Sequence, residues 1–321
     1  MRATKGKEKN KKKPSCEILI SEYRHDCRIQ GLSSWTIDTR TYALEDFARF
    51  MKERDIHLLD IERDDMKAFL EYLRIDRGIT GKSIQNFLTH INGFYDYLTF
   101  ENYLDSNPIT IIRKRYRKAY KDYEYHTHKI ISTKEMSDLI HSAVDIRDRC
   151  LMALMAKTGI RRKELISLDA SDVDFNNQCI MLKITAKRSN RIVYFDNEME
   201  ILLKRWLKAR ETRNRKWPSP ALFLSQKGGR LERKGVDGIV SAHAQRLGLD
   251  NRKSEKLEDH FTPHCFRHWN TTVLIRAGMP RDFVKELRGD VRREAIDVYN
   301  HIDPKDLRES YIACMPRLGL A

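Results

Sequence analysis

The sequence predicts a mainly α-helical protein with a small β-sheet, divided into an N-terminal helical bundle and a C-terminal mixed α+β domain. Three observations predict it. Apolar residues recur at helical spacing through residues 15–112. Two short strand-like runs, 179–185 and 191–195, flank a polar stretch later in the chain. Between these regions, residues 113–129 exchange aliphatic side chains for Arg, Lys and Tyr. A length of 321 residues suits two domains, and 40% apolar residues are enough to build their cores.

The chain opens with a basic arm, residues 1–14. Residues 1–13 hold seven Lys or Arg against a single acid, Glu8, and contribute +6 of the formal net charge of +15. So few apolar residues cannot pack, and disorder is expected there. The arm either touches phosphates or only keeps the chain soluble. The overall excess of 61 basic over 46 acidic residues points to a polyanionic partner, with nucleic acid as the default and a generic basic surface as the plain alternative.

Residues 15–112 form the bundle. A helix over 16–30 carries Ile18, Leu19, Tyr23 and Cys27 on one face, and Gly31 ends it. Ser33 or Ser34 caps a second helix with Tyr42, Leu44, Phe47, Phe50 and Met51 inward. A third runs over 63–76 with Met66, Phe69, Leu70 and Leu73 inward. A fourth opens at Thr80-Gly81-Lys82-Ser83, bears Phe87, Ile91, Phe94, Tyr95 and Leu98, and is stopped by Asn107-Pro108. The aromatic spacing here is that of core packing, not of a base-stacking platform. Residues 113–129 then read as an exposed basic linker containing Arg113, Lys114, Arg115, Arg117 and Lys118. Such a linker lies along a phosphate backbone or serves as a solvated tether.

The second domain spans 130–321. Ser132 and Glu135 make a capping box for its first helix. Residues 151–158 are more uniformly apolar than the other helical stretches, which predicts a buried helix ended by Gly159. The strand-like runs predict a hairpin turning near 187–190, and 198–213 is helical again. Six cysteines show no CxxC spacing, so no zinc site is expected. Neither an apolar run of about 18 residues nor a signal-peptide core is present, and a cytosolic, nucleoid-associated protein with reduced thiols is expected.

The chemistry concentrates in the second domain. Thr262-Pro263-His264-Cys265-Phe266-Arg267 begins a helix and places His264 and Arg267 on one face, where the helix N-terminus favours an anion. Cys265 reads as a small buried residue. Thr158-Gly159-Ile160-Arg161-Arg162-Lys163-Glu164-Leu165 puts an arginine at another helix start. Lys187 sits at the hairpin turn, with Lys183, Arg188 and Arg191 as neighbouring cations. Leu287-Arg288-Gly289-Asp290 precedes Tyr299-Asn300-His301 by nine residues.

In these motifs the sequence resembles the tyrosine recombinases, the phage integrases and Xer-type resolvases. Arg161 matches the arginine of the family's T-G-x-R-x-x-E-L motif, Glu164 its structural glutamate, Lys187 its hairpin lysine, His264 and Arg267 its H-x-x-R, and Tyr299 its nucleophile. The resemblance covers roughly 130–312, and more loosely 15–112, which looks like the family's helical, SAM-like core-binding domain. Asp290 stands where the family usually has His or Trp. A carboxylate repels a phosphate, so Asp290 either pairs with Arg288, Arg292 or Arg293 and orients the cluster, points away in favour of His268 or His301, or weakens the site.

The resemblance implies a site-specific recombinase that cuts and rejoins DNA through a 3′-phosphotyrosyl link. Two arginines hold the phosphate, His264 accepts the phenolic proton or donates to the phosphate, and Lys187 protonates the leaving 5′-oxygen. No cofactor, metal or ATP is expected; neither a P-loop nor a two-metal carboxylate cluster is evident. Expected partners are double-stranded DNA carrying a specific recombination site and three further copies of the chain in a homotetramer. Arg113, Lys114, Arg115, Arg117, Lys118 and Arg162 are the expected DNA contacts. Tyr311 is the rival nucleophile, twelve residues beyond Tyr299. The tail, 304–321, either docks on a neighbouring protomer or packs on its own domain. Two other functions share the chemistry or the scaffold: a relaxing enzyme like a type IB topoisomerase, and a non-catalytic DNA-binding protein.

Overall fold

The computed structural model describes residues 13–116, 130–183, 191–216, 218–254, 256–290 and 302–320. The chain divides into two compact units, Met1–Tyr125 and His126–Ala321. The expected basic arm lies outside the described residues except for its end, where Lys13 pairs with Asp60 at 2.5 Å and the Pro14 carbonyl meets the His57 ring at 3.0 Å.

The first unit is helical, as expected. Its helices are α1 (Cys16–Ile29), α2 (Ser34–Lys52), α3 (Arg63–Glu71), α4 (Gly81–Phe100) and α5 (Ile109–Tyr116). Short polar side chains start three of them: Ser15, Ser33 and Thr80 each accept a bond from the backbone N–H three residues on. Leu19, Leu44, Phe47, Phe69, Phe94, Tyr95 and Leu98 are completely or nearly completely buried. The Phe47 and Phe50 rings meet Phe69 edge-on at 4.8 and 5.1 Å. These aromatics are therefore core, whereas Trp35 and Phe100 are exposed.

Ile18 and Tyr42, expected inside, are exposed, and Ile20 and Ile37 are buried instead. The third helix does not stay α to residue 76: its last turn, Tyr72–Asp76, is a π-helix closed by Arg77 N–H to the Tyr72 carbonyl. The fourth ends at Phe100, before Asn107-Pro108. That dipeptide opens α5 rather than stopping α4, because the Asn107 side chain accepts from Ile109 N–H at 2.8 Å and Pro108 needs no N–H partner at a helix start. Residues 113–116, expected as linker, are consequently helical, and Ile109 and Ile112 anchor that helix in the first core.

The second unit is built around α7 (Ile146–Thr158), which packs against α9 (Asn197–Lys216) and α11 (Pro263–Arg276). Its other helices are α6 (Thr133–His141), α8 (Arg162–Ser167), α10 (Arg233–Arg246), α12 (Arg281–Arg288) and α13 (Pro304–Cys314). The Ser132–Glu135 box is present at 3.1 and 2.7 Å. Among the described residues, three short strands form one antiparallel sheet: β1 (Val173–Asp174), β2 (Cys179–Met181) and β3 (Ile192–Tyr194), in that order. Cys179 faces Tyr194, Ile180 faces Val193 and Met181 faces Ile192. Ile180 and Val193 are buried, whereas Met181 and Ile192 are exposed. The hairpin turn, 184–190, lies outside the described residues. Strand β1 was not foreseen; two residues are too few to show a period.

A satellite core of Tyr194, Leu274, Met279, Val284, Leu287, Leu307, Tyr311 and Met315 seats α13 on its own unit. All six cysteines are free thiols. No helix among the described residues is long and apolar enough to cross a membrane.

Candidate active site

Three helix ends converge in the second unit. Helix α7 is buried along nearly its whole length and stops at Gly159, whose φ is 59°. A side chain there would collide with Asn270, whose Oδ1 lies 2.6 Å from the place a Cβ would occupy. Asn270 of α11 in turn donates to the Ala156 and Lys157 carbonyls at 2.9 and 2.8 Å, completing the end of α7. The chain therefore turns sharply and delivers Arg161 to the start of α8.

Glu164 holds Arg161 in that position. It accepts from the Arg161 backbone N–H at 2.7 Å and from its guanidinium at 3.0 Å. Arg161 keeps 40% of its side chain exposed, whereas Glu164 keeps only 2%. Burial raises the Glu164 carboxyl, but bonds from Arg191 and then Arg161 outweigh it and leave the group below its ordinary value. Glu164 is thus a charged support for Arg161.

Helix α11 starts with Pro263 at its first position. His264 is exposed and meets the His268 ring edge-on at 4.5 Å. Cys265 is buried, in keeping with a packing role. Arg267 is 3% exposed and donates to the Gly159 carbonyl at 2.9 Å and the Arg288 carbonyl at 2.7 Å. Burial, then the positive charges of Arg161, Arg288 and Arg191, push Arg267 down to about 9, with Asp290 acting the other way. Arg267 therefore remains a cation near neutrality, in a place where added negative charge is favoured.

Asp290 follows the left-handed cap Gly289, φ 61°, at the end of α12. Its carboxylate accepts from Arg288 Nε at 2.7 Å and lies 3.4 Å from Arg267 and 3.7 Å from Arg161. Asp290 does not point away; it pairs with Arg288, as one of the sequence readings has it, and additionally with both candidate phosphate-binding arginines. Arg292 and Arg293 lie outside the described residues.

Arg161, His264 and Arg267 line one cavity of about 680 Å³, together with Arg162, Lys163, Arg233, Asp237 and Arg252. Arg162, expected on DNA, is bonded to Asp237 of α10. Arg233 and Arg252 were missed by sequence reasoning. Neither belongs to a motif that links it to Arg161, which lies 72 or more positions away, so only the folded chain could connect them. Tyr299 and Lys187 lie outside the described residues, as do Arg117, Lys118 and His301. Of the cations flanking Lys187, Lys183 pairs with Asp169 and Asp172, and Arg191 is buried against Glu164. Tyr311 is 1% exposed and donates to the Lys157 carbonyl at 3.1 Å; burial raises its phenol well above its ordinary value, which disqualifies it as a nucleophile. Arg113, Lys114 and Arg115 sit on α5, where Lys114 and Arg115 are exposed.

Comparison with known proteins places this geometry. The model of the phage integrase family matches residues 113–306, and that of the phage integrase N-terminal SAM-like domain matches 19–104. The chain belongs to the phage integrase family. Membership makes it a tyrosine recombinase that acts site-specifically on DNA. Its relatives include the tyrosine recombinase XerC of Bacillus licheniformis, 28% identical over 90% of this chain and 92% of that protein. The XerC of Leptospira interrogans is 27% identical over 89% of each chain. Among solved structures, a lambda integrase tetramer bound to a Holliday junction shares the fold with a TM-score of 0.67, at 16% identity over 89% of this chain and 81% of that one.

Proposed function

We propose that this recombinase cleaves one strand of duplex DNA by attack of Tyr299 on a phosphate held by Arg161, Arg267 and His264. The observation that supports it most is the shared cavity: three side chains from two separate motifs, about a hundred residues apart in sequence, open onto one basic space. The Tyr299 oxygen forms a bond to phosphorus while the bond from phosphorus to the 5′-oxygen breaks. His264 takes the phenolic proton or donates to the phosphate, and Lys187 delivers a proton to the leaving 5′-oxygen. With Lys183 and Arg191 committed to carboxylates, Lys187 and Arg188 remain as candidates for that acid, and Lys187 matches the family motif. Each arginine donor is worth roughly 3–4 kcal/mol to a transition state with extra charge on its non-bridging oxygens. Asp290 orients the arginines and does not contact the reacting atoms. The phosphotyrosyl link conserves the energy of the phosphodiester, so a 5′-hydroxyl reverses the step without ATP or a bound metal.

The partners in this reading are double-stranded DNA with a defined recombination site and a homotetramer assembled on it. A lambda integrase of the same fold is a tetramer on a Holliday junction. Both units contact the duplex, with Arg113, Lys114, Arg115, Arg117 and Lys118 on its phosphates. Arg162 acts as a strut to α10, and Arg233 and Arg252 take its place facing DNA.

A nicked suicide duplex tests the reading. The wild-type chain is expected to form a covalent adduct that survives denaturation, and Tyr299→Phe is expected to form none. Absence of the wild-type adduct would overturn the assignment. Relaxation of any supercoiled plasmid, instead of exchange at one site, would mark a topoisomerase-like activity.

A further inference from the structure

We infer that Arg191 is a positioning residue for the cleavage step: it clamps Glu164, and through Glu164 it sets the guanidinium of Arg161 for the phosphate. The inference rests on the proposed role of Arg161.

Arg191 immediately precedes β3 and keeps 4% of its side chain exposed. Its two terminal nitrogens donate to the two oxygens of Glu164, at 2.8 and 3.1 Å. Its Nε donates to the Leu287 carbonyl at 2.7 Å. All three nitrogens are thus engaged, and Arg191 does not line the basic cavity. It cannot serve as a phosphate ligand without dismantling this arrangement.

The carboxylate of Glu164 is shared evenly. One oxygen accepts from Arg191 and from the Arg161 guanidinium; the other accepts from Arg191 and from the Arg161 backbone. A nearly fully buried carboxylate facing only one guanidinium would draw that group in completely, since an under-paired buried charge is costly. Arg191 supplies half of the pairing, so Arg161 remains partly exposed and able to face a second anion. The same clamp reaches α12. Leu287 lies one residue before Arg288, whose carbonyl accepts from Arg267. One buried guanidinium therefore fixes the supports of both candidate phosphate-binding arginines, across 27 and 96 positions of sequence.

The test uses the full chain, the nicked suicide duplex under single-turnover conditions, and DNA affinity measured in parallel. Arg191→Met is expected to slow adduct formation roughly tenfold or more while the Kd for DNA stays within about twofold, because small misplacements of a catalytic group act mainly on the chemical step. Adding Glu164→Gln to Arg191→Met is expected to restore several-fold of the lost rate, since a neutral amide no longer withdraws Arg161. That rescue is the readout a merely structural role would not give. Arg191→Lys, which keeps the charge without the two-pronged pair, is expected to fall between and serves as the folded comparison if Arg191→Met fails to fold. A wild-type rate in Arg191→Met or, where that does not fold, in Arg191→Lys overturns the inference. So does a slowed variant that Glu164→Gln leaves slow, or affinity and rate lost in parallel. If wild type itself forms no adduct, the active-site reading falls and this inference falls with it.

Discussion

Four guanidiniums, those of Arg161, Arg191, Arg267 and Arg288, surround two carboxylates, Glu164 in α8 and Asp290 just beyond α12. The two acids differ in place and consequence. Glu164 is buried behind Arg161, whereas Asp290 keeps 34% of its side chain exposed and lies against Arg161 and Arg267. Asp290 therefore puts a negative charge beside both candidate phosphate-binding arginines, and that charge opposes an incoming phosphate without touching it. Replacing Asp290 with Asn removes the repulsion and retains an oxygen for the Arg288 bond. Asp290→Asn is expected to tighten DNA binding by roughly three- to tenfold at low salt, with the gain shrinking as salt rises. A titration by fluorescence anisotropy at two salt concentrations measures it. Unchanged or weaker affinity at low salt would show that the carboxylate's orienting bonds matter more than its charge.

At the scale of elements, the site is made by the ends of helices, and the end of α7 at Gly159 is packed closely against Asn270. Alanine there must adopt a φ of 59° and push aside Asn270, which holds two carbonyls of α7. Gly159→Ala is expected to destabilise the second unit by roughly 2–4 kcal/mol, combining left-handed strain with the displaced bonds. Urea unfolding followed by circular dichroism measures this, and a loss under about 1 kcal/mol would mean that Asn270 moves away freely. These helix ends were legible in the sequence because their signals are local: Gly159 stops α7, Pro263 starts α11, and Ser132 finds Glu135 three residues on. Asn107-Pro108 misled because the same two residues can follow a helix or open one. The clamp of Arg191 on Glu164 and the contact of Asp290 with Arg267 were not legible. They join residues 27 and 23 positions apart, and no periodicity or cap links them.

Across the second unit, the last residues of the chain are fastened back onto α7 and α9. Lys157 is fully buried and donates to Asp196, Glu198 and the Pro316 carbonyl at 2.5, 2.9 and 2.8 Å. Glu198 also accepts from the Leu318 and Gly319 N–H groups, both at 2.9 Å. Burial raises the Glu198 carboxyl, but the bonds from Leu318, Lys157 and Gly319 together hold it below its ordinary value of 4.5. A group whose folded value is depressed contributes stability that is present above its unfolded value and is lost as pH falls through the folded one. The fastening is therefore complete at neutral pH and weakens below about pH 4.5, as Glu198 gains a proton. Glu198→Gln mimics that protonated state at every pH. Hydrogen bonds to a charged acceptor contribute roughly 1.5–3 kcal/mol, so protection of the Leu318 and Gly319 amides from hydrogen exchange is expected to drop about tenfold or more in the variant at neutral pH. Wild-type protection, corrected for intrinsic exchange, should fall towards the variant's level as the solution is acidified, and the variant's should stay flat. Equal protection in the two proteins at neutral pH would show that Lys157 and the apolar contacts of Leu318 and Leu320 hold the tail without the carboxylate.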